Sequence, residues 1–472
     1  MRDMKFSKLF AVLVLPLVIL GVFTGCRDKH LVPQIEFVPD TAVSVRVINL
    51  RYLLKSAGIG SRVLDGHRDE SAETLFDLCF PFELRNSFVE LGVIGGGLDL
   101  TNIYGLTTSH GYEVLMAPVA DRSAFLARLG VCPDVQEIKP DGAKEWNLRY
   151  FRMDDVIVAM GDDYCWFAND VETVHDVLLE SSVGHMGDVI GVRHFLENPS
   201  PVKMAVNSAR SPIDFIGGRN KWLCVGFDVS DTSVSSDVII MDDEGRVDSI
   251  GANFEEIDTD FLHYTPADAS VVLAYGKFDG NQRGLAMLLG KFAPMYVSQA
   301  SGTTSLYALP ASGNAVAVRD AVPGAWNVET MVQVPDDVLQ AGVRSYRQDA
   351  PSAKYADGQW AYADGDATYY FGGFDGALVF STNREISSGY TNDFLSDFEG
   401  KRLMMLVDIP AGSVLAKAWS VPFGVHFRMG VDERRLFARV TFSGSGRTAL
   451  GALLELPQIH DVKARFDANL GR

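Results

Sequence analysis

Phe37-Val38-Pro39-Asp40-Thr41-Ala42-Val43-Ser44-Val45 is answered further along the chain by Tyr264-Thr265-Pro266-Ala267-Asp268-Ala269-Ser270-Val271-Val272. Pro, Ala and Val coincide at an offset of 227. Each stretch reads as a proline-initiated turn running into a β-strand. A short helix follows in both places. Leu50, Leu53, Leu54 and Ala57 fall at i, i+3, i+4 and i+7, and Leu285, Leu288, Leu289 and Phe292 repeat that spacing at an offset of 235. One apolar stripe on a short helix suits packing against a sheet, and Gly58 stands where a helix-ending glycine is expected.

The parallel extends outward. Tyr112 to Val119 reads as a strand, after which Asp121 caps a helix carrying Phe125, Leu126 and Leu129 and ended by Gly130. Thr330 to Val334 followed by Asp336, Val338 and Leu339 is its counterpart. The turn Asp162-Asp163, the strand Cys165-Trp166-Phe167 and the capping pair Asn169 and Glu172 match Asp375-Gly376, Leu378-Val379-Phe380 and Asn383. Two hairpins close the pattern, Trp222–Val229 with Val234–Met241 and Val425–Val431 with Leu436–Phe442. The same order twice predicts an internal duplication. The expected fold class is α+β, in two related halves, each a largely antiparallel sheet with packed short helices. The expected domains are residues 35–262 and 263–472.

The turn, strand and helix from Phe37 to Gly58 resemble the opening of an uncharacterised Bacteroidales lipoprotein family, a domain of unknown function (4836-like). Gly97-Leu98-Asp99-Leu100 and Asp121-Arg122-Ser123-Ala124-Phe125 are similar to its next segment. The resemblance implies a structural likeness over most of the mature chain, with no activity and no catalytic residues attached.

The N-terminus agrees with that resemblance on independent grounds. Arg2, Lys5 and Lys8 precede the 14 uncharged residues Leu9 to Val22. That run suits a signal peptide and is shorter than the roughly 20 apolar residues of a membrane-spanning helix. Phe23-Thr24-Gly25-Cys26 then resembles a bacterial lipobox. Residues 1–25 are therefore expected to be removed, with Cys26 lipidated and residues 26–34 forming a tether. Asp does not follow Cys26 directly, which favours the outer membrane and leaves its periplasmic and cell-surface faces open.

The whole chain has 472 residues, 47% of them hydrophobic and 22% charged, enough for two or three domains of ordinary size with real cores. Its formal net charge of −19 repels nucleic acid and anionic headgroups, so the expected membrane attachment is the lipid alone. The expected partner is a glycan or protein of the envelope. Cys79, Cys132, Cys165 and Cys224 remain once Cys26 is set aside, and they permit two disulfides or four buried free thiols.

No familiar catalytic pattern stands out. The nine His fall in no metal spacing, there is no Gly-x-Ser-x-Gly elbow, and no cofactor or metal is expected. Asp154-Asp155, Asp162-Asp163, Asp242-Asp243-Glu244 and Asp336-Asp337 sit between apolar runs, where adjacent carboxylates mark turns and caps. Tyr355-Ala356-Asp357-Gly358 and Tyr362-Ala363-Asp364-Gly365 read as two hairpin turns. Trp166 and Trp222 belong to strand patterns and to the core, whereas Trp360 is the expected exposed aromatic and the candidate ligand contact. The leading expectation is a non-catalytic binding or scaffold module of the envelope. The alternative is an envelope hydrolase whose residues lie far apart in the sequence.

Overall fold

Ser44–Ile48 (β1) carries three buried apolar residues and is paired antiparallel along both edges. One neighbour is Ile103–Thr107 (β2) and the other Val202–Asn207 (β8). Every residue of β1 therefore has a partner on each side, and Val47 stands between Tyr104 and Lys203. In this computed structural model the described residues are 33–94, 96–140, 146–210, 221–251, 254–265, 269–276, 304–310, 329–333, 336–364, 367–374, 376–381, 396–413, 416–417, 420–456 and 459. Cys26, the helix expected at 285–292, and Asn383 lie outside them.

The remaining strands of the first unit are Glu113–Pro118 (β3), Val135–Ile138 (β4), Arg149–Met153 (β5), Val156–Met160 (β6), Tyr164–Ala168 (β7), Lys221–Val229 (β9) and Ser233–Asp242 (β10). They hydrogen-bond, all antiparallel, in the spatial order β4-β5-β6-β7-β3-β2-β1-β8-β9-β10.

The second unit has Ala269–Gly276 (β11), Thr304–Pro310 (β12), Glu329–Gln333 (β13), Lys354–Ala356 (β14) and Gln359–Asp364 (β15). It continues with Ala367–Phe374 (β16), Ala377–Ser381 (β17), Leu403–Ile409 (β18), Gly424–Val431 (β19) and Leu436–Ser443 (β20). Their order is β14-β15-β16-β17-β13-β12-β11-β18-β19-β20. The two units thus share one strand order and one set of antiparallel pairings. The register repeats as well: the residues of β11 paired to β18 are Val271–Tyr275, 227 positions beyond Ser44–Ile48.

Helices account for the burial. Leu50–Ser56 (α1) is capped by Asn49, which accepts from the Tyr52 amide at 3.0 Å, and Gly58 follows it with φ +72°. Glu70–Cys79 (α2) and Phe82–Phe88 (α3) come next, and Phe88 packs edge-on against Phe167 at 4.9 Å. Arg122–Val131 (α4) is capped by Asp121, as expected, but runs one residue past Gly130. Val171–Val183 (α5) is capped by Asp170, whose carboxylate accepts from the Thr173 amide at 2.6 Å, not by Asn169. Starting there puts Val171, Val174, Val177 and Leu178 on the sheet-facing side, in one core with Val45, Val47, Tyr104, Met116, Trp166 and Trp222. Ile190–Leu196 (α6) adds Val192, Phe195 and Leu196 to that core.

With helices on both faces, β6 is buried along its whole length, which explains its uninterrupted apolar sequence Val156-Ile157-Val158-Ala159-Met160. In the second unit Asp336–Asp349 (α7) packs on β16 and β17.

By packing, the described residues divide into those of 249–445 in one unit, and those of 33–248 together with 446–459 in another. This division falls at 248/249, beside the boundary expected at 262/263, and the chain's last described helix, Ala449–Leu454 (α8), groups with the first unit. The reason is burial: all six residues of α8 are buried, it packs on α1, α2 and β10, and its first amide donates to the Asp231 carbonyl at 2.9 Å.

The glycine-rich bend has a steric function. Gly97 has φ +102°, its carbonyl accepts from the amides of Ala120 and Asp121, and a Cβ there would lie 2.6 Å from the Phe125 nitrogen. Gly97→Ala is expected to destabilise the first unit by about 2–4 kcal/mol through left-handed strain plus overpacking, measured by urea unfolding. Gly96, at φ +75° with nothing within 4 Å, pays the conformational part alone, so Gly96→Ala is expected to cost about 1 kcal/mol.

Candidate functional site

A cleft of about 500 Å³ opens in the first unit beside β7. Tyr164 and Trp166, two residues apart on β7, project from the same face of the sheet and form its aromatic wall. The 3₁₀ turn Pro33–Phe37 lays Phe37 against both rings, 5.1 Å from Tyr164 and 5.7 Å, edge to face, from Trp166. Trp146 and Leu148, leading into β5, line another part of it. Leu178, Ser181 and Ser182 line it from the last turns of α5. The mouth carries Glu36, Asp162 and Asp163.

Backbone pairing holds these pieces together. The Asp40 amide donates to the Gly184 carbonyl at 3.1 Å, and the Met186 amide donates to Val38 at 2.7 Å. His185, between them, also lines the cleft.

The hydrogen bonding of the two core tryptophans differs. Trp222 is buried and donates its indole N–H to Asp243 Oδ1 at 2.7 Å. Trp166 is equally buried, and among the described residues its Nε1 has no acceptor and Nδ1 of His185 has no partner. Buried polar atoms are normally satisfied. Trp166 and His185 both line the cleft, and Tyr104 Oη, elsewhere in the same core, is unsatisfied as well.

The Tyr164 phenol is pushed above its ordinary range, first by burial and then by the charges of Asp163 and Glu36. Asp162 is engaged by Arg122. The serines are not arranged as nucleophiles: Ser181 donates to the Leu178 carbonyl at 3.1 Å and Ser182 to that of Leu179 at 2.7 Å. Among the described residues no group of three His, Cys, Asp or Glu side chains gathers to hold a metal ion. Elsewhere, burial lowers the Lys203 ammonium to about 8, and its Nζ is engaged by the carbonyls of Leu196 and Asn198. What the cleft offers is ring surface and a negatively charged mouth.

The expected site residues are placed as follows. Cys79 on α2, Cys132 at the end of α4, Cys165 on β7 and Cys224 on β9 are all buried free thiols, so the disulfide alternative is not realised. Burial raises the thiols of Cys79, Cys165 and Cys224 well above the usual range, away from the reactive thiolate. Trp360 is half-buried on β15, 5.2 Å from Tyr355, stacked on Phe371 at 6.4 Å, with the Arg347 guanidinium 4.0 Å from its ring centre. Its ring is taken up by neighbours of its own unit. The carboxylate pairs fall on turns, a strand end and a helix start: Asp154 has φ +52°, Asp242 is ion-paired with Arg246, and Asp336-Asp337 opens α7. The turn at Asp357-Gly358 has positive φ at both residues, as a two-residue hairpin requires. Sequence reasoning missed Phe37, Trp146, Tyr164 and His185 as neighbours. The one local signal was the aromatic pair two apart on β7.

No known protein family matches the chain, and no curated protein matches it. Among solved structures it is similar to crystal form IV of TP0453 at 8% identity and a TM-score of 0.25, over 44% of this chain and 79% of that one. It is similar to crystal form III of TP0453 at 8% identity and a TM-score of 0.20, over 76% and 93% respectively. Likenesses at that level carry no argument about fold or function.

The field at Tyr164 is directly measurable. Glu36→Gln with Asp163→Asn removes the charges that oppose the phenolate, so the Tyr164 pKa is expected to fall toward its ordinary value, read by titrating ring-labelled tyrosine by NMR. A Tyr164 resonance that titrates identically in both proteins would show that burial alone sets it.

Proposed function

We propose that the chain is a lipid-anchored cell-envelope protein that acts as a non-catalytic binding module, with the aromatic cleft of the first unit as its binding site. The observation that carries the reading is the cleft itself: about 500 Å³, walled by Phe37, Trp146, Tyr164 and Trp166. Ligand sites are concave and mostly apolar, with a few polar groups that fix orientation. The anchoring part rests on the basic, uncharged and Phe23-Thr24-Gly25-Cys26 segments of the N-terminus. No described helix is long and apolar enough to cross a membrane.

Two experiments test the two parts. Metabolic labelling with palmitate is expected to mark the wild-type chain and to be lost in Cys26→Ser. A neutral reporter dye, N-phenyl-1-naphthylamine, is expected to bind the purified protein. Ser182→Trp, at an exposed position lining the cleft, fills the space and is expected to weaken that binding by about tenfold or more. Dye binding that is indifferent to Ser182→Trp places the binding surface elsewhere and overturns the assignment.

A further inference from the structure

We infer that the cleft holds the head of an alkylated organic cation, a quaternary or N-methylated ammonium group; this deepens the reading of the cleft as a binding site and rests on it. The face of an aromatic ring is negative and attracts cations, most strongly where water is excluded. Phe37, Tyr164 and Trp166 supply such rings within 6.3 Å of one another. Glu36 and Asp163 stand at the mouth, and among the described residues neither has an ion-pair partner. The third carboxylate, Asp162, already has Arg122. Among the described residues no Lys or Arg lines the cleft, and His185 is the one basic side chain that does.

Each competing ligand class leaves part of this arrangement unused. An anion would be repelled by Glu36 and Asp163. A bare metal ion lacks the converging donors it needs. A neutral apolar group would cover the rings but make no use of the charges of Glu36 and Asp163. An ammonium carrying methyl groups places apolar surface on the rings and positive charge beside the carboxylates at once.

The test titrates the full chain with choline and with its uncharged isostere 3,3-dimethylbutan-1-ol, followed by tryptophan fluorescence. Choline is expected to bind about tenfold tighter than the alcohol, with the advantage shrinking as salt is raised because the carboxylates are exposed. Glu36→Gln with Asp163→Asn is expected to bring choline down to the level of the alcohol, with the far-UV spectrum reporting that the variant is folded. Equal binding of the two ligands by the wild type, or a choline preference that survives the double substitution, overturns the cation assignment and leaves an apolar site standing. Failure of both ligands while the naphthylamine dye still binds overturns it too. Failure of the dye as well removes the binding site altogether.

Discussion

Pairing of β1 along both edges is the constraint from which the rest of the first unit follows. A strand hydrogen-bonded on each side has no free backbone groups, so its stability depends on covering both of its faces. Val45 and Val47 point into the core shared with α5 and α6, while Ile48 is buried within the same strand. One face thus requires α5 and α6, and the late helix α8 packs on α1, α2 and β10 of the same unit. This is why a segment near the chain's end, separated from α1 by almost 400 residues, is tied to the first unit. A register slip of one residue in β1 would turn Val45 and Val47 away from that core together.

The cleft arises where this covering layer ends. α5 lies over the sheet from Val171 to Leu178, then reaches Gly184 and turns away. Beyond it, Tyr164 and Trp166 meet the turn that carries Phe37, held there by the pairing of residues 38–40 with 184–186. Full burial of a large aromatic side chain is worth roughly 1.5–3 kcal/mol, so a partly covered Phe37 and Tyr164 forgo part of that gain. A folding optimum would close the gap. A gap bounded by three rings and held open by backbone hydrogen bonds is the sort of local compromise found at binding sites.

How far the sequence exposes this arrangement depends on separation along the chain. Local signals read well: Asp121 as a cap, Gly58 as a stop, the hairpins β9-β10 and β19-β20, and the strand repeat at 227. Errors of one residue occur where two chemistries compete locally. Asn169 and Asp170 both suit an N-cap, and the apolar spacing of Val171, Val174 and Val177 against the sheet selects the second. Gly130 has helix-breaking composition, yet Leu129 is already anchored in the core and α4 continues past it. The cysteines could not be settled from spacing, because each one's partner residues are set by the tertiary fold. Trp360 looked exposed because its neighbours in sequence are turn residues, whereas Phe371 and Arg347 reach it from β16 and α7. The cleft itself was illegible. Its walls come from residues 36–37, 146–148, 161–166 and 178–185, which no periodicity links.

The second unit shows that the scaffold does not dictate the rings. β17 holds the place in its sheet that β7 holds in the first, flanked by β16 and β13 as β7 is by β6 and β3. At its first and third positions it carries Ala377 and Val379 in place of Tyr164 and Trp166. Tyr264, at the position matching Phe37 by the offset of 227, is buried in one core with Ala377, Val379 and Phe398. Small aliphatic side chains on that strand therefore serve the same strand order with an ordinary apolar core. The larger rings of the first unit are therefore not a demand of the strand order.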